Sequence, residues 1–104
     1  MEFSKEKTKY EVKFTSAMKK DMKKDMKKVE KRHYDLSLFA EIVGKLANAL
    51  PLDEKYHDHE LEGNWKNHRE CHIKPDWLLI YQIKDDVLIL ELSRTGTHAD
   101  LFKK

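Results

Sequence analysis

The C-terminal half of the sequence holds three strand-like segments in close succession. They read WKNHRECHI, WLLIYQI and VLILELSR, cover 65–94, and are separated by only three residues at each link. Links this short cannot carry a crossover helix, so consecutive strands must lie antiparallel and adjacent. The middle segment is apolar at almost every position, which is typical of a central strand covered on both faces. The pattern predicts a three-stranded antiparallel meander.

The first of these segments alternates, which predicts a strand from Trp65 to Ile73. Cys71 would then share a face with apolar residues, which favours a buried, inert thiol. The predicted faces are Trp65, Asn67, Arg69, Cys71 and Ile73 on one side, and Lys66, His68, Glu70 and His72 on the other.

The N-terminal half predicts one strand and then two helices. The segment YEVKFT alternates apolar and polar residues, as a short half-buried strand does. Asp35 or Ser37 is expected to cap the second helix, and Pro51 to end it. A link of a few residues around Tyr34 predicts an antiparallel helical hairpin. The apolar stripes are Met18, Met22, Met26, Val29 and His33 on the first helix, and Leu36, Phe39, Val43, Leu46 and Leu50 on the second.

This order of elements predicts an α+β fold in a single domain spanning residues 1–104. The helical hairpin is expected to pack on one face of an antiparallel sheet, with a short C-terminal tail or helical turn after the last strand. Residues 1–9 precede the first strand, and disorder is one expectation for them.

The overall charge is uninformative, whereas its distribution is not. The formal net charge is +2, but the segment 16–32 carries eight Lys or Arg against three Asp or Glu. A solvated surface helix is the favoured explanation, and a site for a polyanion is the alternative. Cys71 is the only cysteine, and no apolar run reaches the length of a membrane span. These features predict a cytoplasmic protein without a membrane partner.

Two stretches of the sequence combine His, Asp and Arg residues, which can take part in catalysis, in a specific order. DHELEGNWKNHRECHIKPDWLLIYQI spans 58–83, and RTGTHADLF spans 94–102. With these motifs the chain resembles the YafQ branch of the RelE/ParE superfamily of bacterial toxins. The resemblance is close over 58–102 and looser over the two helices.

The resemblance implies a RelE-like fold and a ribosome-dependent endoribonuclease that cuts mRNA in the ribosomal A site. It implies a cognate antitoxin, the ribosome and translated mRNA as partners, with DNA bound only as a toxin–antitoxin complex on its operator. No cofactor and no metal are expected. The catalytic residues it implies are His98, as the principal proton donor, with His72, His59 and Asp76.

Metal-free RNA cleavage needs a base for the 2′-OH, an acid for the leaving oxygen, and cations for the phosphate. Histidine suits both proton roles because it titrates near neutral pH. Asp76 is expected either to act as base or to orient a histidine. Phe102 could stack on a base or pin the C-terminus to the core. The candidates for phosphate contact are Arg69, Arg94 and Lys66, with Arg94 equally able to hold the tail in place.

Three other functions stay open at this point. His57, Asp58 and His59 could contribute to a metal site together with His72 and His98, although no cysteine pair supports it. A gyrase inhibitor of the ParE type would bind without cutting RNA. A general RNA-binding module would use the lysine-rich helix and show a steep salt dependence without cleavage.

Overall fold

The computed structural model describes residues 8–14 and 19–102. Short 3₁₀ turns at Glu54–Tyr56 and Gly63–Trp65 flank the second strand. In chain order the helices and strands are β1 (Glu11–Phe14), α1 (Lys19–Lys31), α2 (Leu36–Ala47), β2 (His59–Glu60), β3 (Arg69–Lys74), β4 (Trp77–Lys84), β5 (Ile89–Gly96) and α3 (His98–Leu101). The α+β class and the helical turn after the last strand are confirmed. The predicted elements occur in the predicted order, but β2 is an additional strand in a stretch between α2 and the meander where none was expected.

The sheet formed by the described residues has five strands in the order β1-β5-β4-β3-β2. β3, β4 and β5 form the predicted antiparallel meander. β1 lies parallel to β5, with Val12 opposite Leu90, so the expectation of a wholly antiparallel sheet is wrong. The reason is that α1 and α2 form a crossover between β1 and the meander, and a connection of this length allows parallel pairing.

The prediction that β3 begins at Trp65 is also wrong, because the strand starts at Arg69. Trp65 ends a 3₁₀ turn, and Asn67 has a left-handed φ of 72°, which interrupts the alternation. Trp65 therefore packs against Leu78 and Ile80, on the sheet face opposite the one that carries Cys71.

The main core lies between the helices and one face of the sheet. Trp77, Leu79 and Tyr81 of β4 present side chains to this face. Val29 of α1 and five residues of α2 pack against them, and the α2 set is Phe39, Ile42, Val43, Leu46 and Ala47. Asp35 caps α2 by accepting hydrogen bonds from the backbone N–H of Ser37 and Leu38 at 2.9 and 3.3 Å.

Some predicted core positions differ at the helix ends. His33 follows α1 in a left-handed turn (φ 57°) and is exposed, so it is not part of the apolar stripe. Leu36 and Leu50 are exposed, since the first begins α2 and the second lies beyond its last turn. Residues 1–7, Met18 and the side chain of Met22 lie outside the described part of the chain.

The second face of the sheet has a smaller core. Leu78 and Ile80 of β4 are fully buried there, and Leu101 of α3 packs on them with 8% of its surface exposed. Burying a leucine side chain stabilises a fold by about 1.5–3 kcal/mol, so Leu101 anchors the C-terminal helix to the sheet. Within 8–14 and 19–102, no helix has both the length and the apolar character needed to cross a bilayer.

Candidate active site

Four imidazoles from distant parts of the sequence gather at one edge of the sheet. His72 on β3 stands at the centre, with ring centroids 5.7 Å from His98, 6.2 Å from His59 and 5.5 Å from His57. The structure thus brings together the three histidines that the sequence motifs single out. It adds His57, which the sequence singled out only in the metal-site alternative and which follows a 3₁₀ turn with a left-handed φ of 46°.

Asp76 orients His98 from the turn between β3 and β4. Its Oδ1 lies 3.2 Å from the backbone N of His98 and 3.3 Å from the imidazole Nδ1. The hydrogen bond from the His98 backbone N–H, followed by the one from its ring, lowers the pKa of the Asp76 carboxyl below its usual value. An ionised carboxylate only accepts, so Nδ1 of His98 carries the proton and Nε2 is the remaining site for proton exchange.

Glu70 is a central member of the cluster that the sequence motifs did not indicate. It is 97% buried in the folded chain, with one carboxylate oxygen 3.2 Å from Nε2 of His72 and 3.5 Å from Nε2 of His59. His59 also places Nδ1 2.7 Å from the carbonyl oxygen of His57. A carbonyl oxygen only accepts, so Nδ1 of His59 is the protonated nitrogen. The signal in the sequence was that Glu70 and His72 alternate onto one strand face.

The same three side chains form a group that could hold a metal ion. One donor atom from each of His59, Glu70 and His72 lies within 4.8 Å of the others. This set differs from the metal-site alternative drawn from the sequence, because Asp58 is engaged elsewhere. Asp58 accepts hydrogen bonds from Arg69 and from the Tyr81 hydroxyl.

Residues 97–102 lie beside the imidazole cluster and extend it towards the protein surface. Thr97 and Asp100 form a reciprocal capping box that starts α3 and fixes the position of His98 on its first turn. The ring of Phe102 lies 6.0 Å from that of His98, and 37% of the residue is exposed. Phe102 therefore has an open surface beside the imidazoles rather than a place in the core.

The predicted phosphate-binding cations lie apart from this arrangement. Lys66 and Arg69 line a second groove of about 820 Å³, together with His68. Arg69 is also paired with Asp58 at 3.3 Å and, more loosely, with Glu60 at 3.7 Å. His68 packs its ring 5.2 Å from that of Trp65, which supports a structural role.

Arg94 is held by a buried acid. Its Nε lies 2.6 Å and its Nη2 3.0 Å from the two carboxylate oxygens of Asp25 on α1, a bidentate ion pair. Hydrogen bonding to Asp25 raises the pKa of the Arg94 guanidinium. This geometry favours the alternative in which Arg94 holds the tail of the chain rather than contacts phosphate.

The groove beside the imidazoles offers other cations. It has a volume of about 810 Å³ and is bordered by His57, His59 and His72. Lys55 and Lys74 also line it, and sequence reasoning did not single out either of them. The remaining wall is mostly apolar and consists of Leu38, Tyr56, Ile73 and Pro75. Such a groove combines a surface for a flat apolar group with positive charge for an anion.

Comparison with known proteins identifies the family that this chain matches. Residues 10–103 match the family described as bacterial toxin of type II toxin–antitoxin system, YafQ. The chain is 48% identical over 74 residues to the mRNA interferase toxin YafQ of Escherichia coli K12, an alignment covering 70% of this chain and 78% of that relative.

Solved structures of related toxins support the same family relationship. The toxin in the crystal structure of the E. coli DinJ–YafQ toxin–antitoxin complex superposes with a TM-score of 0.76 at 39% identity, covering 90% of this chain and 98% of that one. A metal-bound toxin from Helicobacter pylori gives a TM-score of 0.80 at 43% identity, with 89% and 99% covered. The family match over nearly the whole chain and these likenesses lead to one conclusion: this chain belongs to the YafQ family of bacterial toxins of type II toxin–antitoxin systems.

Proposed function

We propose that this chain is an endoribonuclease toxin that cleaves mRNA in the ribosomal A site, using its own side chains to move protons. The observation that carries the proposal is the pairing of His72 and His98 with rings 5.7 Å apart, each held by a carboxylate. The name of the E. coli relative, an mRNA interferase, supports RNA as the substrate.

The reaction needs two proton transfers around one phosphorus. A base removes the proton of the ribose 2′-OH, and the 2′-oxygen forms a bond to phosphorus. The bond from phosphorus to the 5′-oxygen breaks, and an acid gives that oxygen a proton. Two imidazoles separated by less than 6 Å suit groups that act on opposite sides of the same phosphate.

His98 is the proposed acid. Its Nδ1 proton is directed at Asp76, and more than half of its side chain is exposed, so Nε2 is accessible to a substrate oxygen. Asp76 is then a positioning residue that holds the proton on Nδ1 of His98 and so directs Nε2 towards the substrate. Removing one acid–base group costs on the order of 10²–10⁴-fold in rate.

His72 is the proposed base, supported by Glu70 and His59. In the tautomer whose Nε2–H donates a hydrogen bond to Glu70, Nδ1 of His72 has a free lone pair. That lone pair can accept the 2′-OH proton. The buried negative charge of Glu70 stabilises the imidazolium that results. His59 lies on the other side of Glu70 and contacts the same carboxylate oxygen at 3.5 Å, so it helps to hold Glu70 in place beside His72.

The groove next to His72 is the proposed path for the message. Lys55 and Lys74 supply positive charge for backbone phosphates, and the apolar wall at Tyr56 can contact a base. Phe102, exposed beside His98, can stack on a base on the other side of the cut, a contact worth about 1–3 kcal/mol. Lys66 and Arg69 in the second groove are proposed to contact RNA further from the reacting phosphate.

A cognate antitoxin and the translating ribosome are the proposed partners. Membership of the toxin–antitoxin family supports the first, and the E. coli relative is solved in complex with DinJ. An antitoxin would inhibit the toxin by covering the imidazole cluster or by displacing α3. The proposed place of action is the cytoplasm, where ribosomes translate mRNA.

Primer extension on a translated message tests the proposal. The wild-type chain is expected to cut within codons only when ribosomes are present, and His98→Ala is expected to lower the single-turnover rate by about 100-fold or more. His33→Asn is the matched control, since it removes an exposed imidazole that lies outside the cluster and both grooves, and Asn tolerates the left-handed φ of this residue. Equal rates for wild type and His98→Ala would remove His98 from its proposed role.

The same preparation separates the alternatives. Inhibition of gyrase supercoiling without RNA cleavage would support a ParE-like inhibitor, and salt-sensitive RNA binding without cleavage would support a binding module. Cleavage of free RNA at the rate seen on ribosomes would contradict ribosome dependence while leaving the nuclease assignment intact.

A further inference from the structure

Asp100 has more partners than a capping residue requires. Its carboxylate closes the capping box through the backbone N–H of Thr97 at 3.0 Å, as expected at the start of α3. It also accepts two hydrogen bonds from Arg32, at 2.8 and 3.3 Å, and lies 3.4 Å from the ammonium group of Lys28. Lys28 lies in the last turn of α1 and Arg32 directly follows that helix, 72 and 68 residues away from Asp100 in the chain.

The backbone around α3 is shaped to admit this carboxylate. Gly96 has a φ of 155°, and a Cβ atom at that position would lie 2.7 Å from Oδ2 of Asp100. A side chain larger than glycine would therefore force Asp100 away from Arg32. A four-residue helix is far too short to be stable alone, so its position depends on contacts of this kind.

The position of α3 matters because His98 is its first residue. The capping box joins Thr97 to Asp100, so a movement of Asp100 moves the turn that carries His98. His98 must keep its ring near both Asp76 and His72, at 3.3 Å and at a centroid distance of 5.7 Å. Displacements of about 1 Å in a catalytic group can cost 100-fold in rate.

We propose that the ion pair between Arg32 and Asp100 is a positioning device that couples the end of α1 to the imidazole of His98. Arg32 and Asp100 touch neither the groove nor the reacting groups, so both are positioning residues. Lys28 adds a weaker, more exposed contact to the same carboxylate. The inference rests on the proposed endoribonuclease function, since it explains how the proposed acid is held.

Arg32→Gln is the informative variant, because it removes the charge without touching α3. We expect kcat for cleavage to fall by about tenfold or more while KM changes by less than threefold, since the substrate contacts are intact. Lys31→Gln, the adjacent exposed residue with the same charge change, is expected to alter kcat by less than twofold. The double variant Arg32→Gln with Asp100→Asn should be no slower than the slower single variant, because both remove one ion pair.

A second measurement does not depend on cleavage. NMR signals of the His98 ring in the wild-type chain should show the hydrogen bond to Asp76, and Arg32→Gln should shift these signals. Both signals and kcat unchanged in Arg32→Gln would overturn the positioning role. An absence of cleavage by the wild-type chain on ribosomes, with shifted His98 signals in the variant, would instead refute the proposed function and leave the coupling in place.

Discussion

Removing Asp25 from its ion pair with Arg94 is expected to be one of the most destabilising single changes in the chain. Asp25 is 98% buried although it lies on the most charged helix of the chain, and Arg94 is about four-fifths buried. Asp25→Ala would remove three hydrogen bonds, two from Arg94 and one from the backbone N–H of Thr95 at 3.1 Å. The change would leave a guanidinium and a buried N–H without their acceptor.

The size of the effect follows from that geometry. Removing one partner of a buried ion pair costs about 3–5 kcal/mol, because the other charge is left uncompensated. Arg94 keeps some access to water, with 20% of its side chain exposed, so the lower end of about 3 kcal/mol is expected. For a domain of this size each kcal/mol lowers Tm by about 4–8 °C, which predicts a loss of about 12–24 °C.

Thermal and urea unfolding followed by tryptophan fluorescence would measure this loss. Trp77 is a suitable reporter because its Nε1 donates a hydrogen bond to Thr95, the residue that follows Arg94. Glu30→Ala is the matched control, as it deletes one exposed acid from the same helix and should change stability by less than about 0.5 kcal/mol. A loss for Asp25→Ala no larger than that of Glu30→Ala would refute the reasoning.

Three further predictions concern the Cys71 thiol, the Asp100 carboxylate and the group of His59, Glu70 and His72. Burial raises the pKa of the Cys71 thiol, so it should resist thiol reagents at pH 8 until the chain unfolds. The hydrogen bonds from Arg32 lower the pKa of the Asp100 carboxyl. The difference in free energy of unfolding between the wild-type chain and Asp100→Asn should therefore be largest at pH 6 and should shrink as pH falls below about 4. Urea unfolding at each pH would measure it. Added Zn²⁺ should inhibit cleavage, because it would bind the imidazole nitrogens of His59 and His72, and a chelator should restore the rate. Glu70→Gln should weaken Zn²⁺ binding, which calorimetry would measure.

Local patterns were sufficient to predict most of the fold. The short links between β3, β4 and β5 left no other pairing than a meander, and the stripe on α2 identified Phe39, Val43 and Leu46 as core residues. The parallel pairing of β1 was missed because it depends on where two helices return the chain, which no local pattern encodes. The false start of β3 at Trp65 arose because a 3₁₀ turn there is followed by residues that happen to alternate.

The candidate site was only partly accessible from sequence. The motifs indicated His59, His72 and His98, which the fold gathers. Glu70 was missed because a lone glutamate in a charged strand looks like a solvent-facing residue, whereas β2 pairs with β3 there and places His59 against its carboxylate. The role of Arg94 was ambiguous, since an extra residue in β5 opposite Ile80 and Tyr81 interrupts the alternation that would assign its direction.

The lysine-rich helix shows how the same sequence pattern can hide different functions. Asp21 and Asp25 occupy equivalent positions in the repeat KKDMKKDMKK, yet Asp25 is buried against Arg94 whereas Asp21 is only partly covered. Seven residues after Asp25, and directly after the last residue of α1, Arg32 reaches Asp100. α1 and the residue that follows it therefore hold both ends of the segment 94–100: Asp25 binds Arg94, and Lys28 and Arg32 bind Asp100. The charge of this helix is in part structural, because two of its ion pairs fix the segment that carries His98.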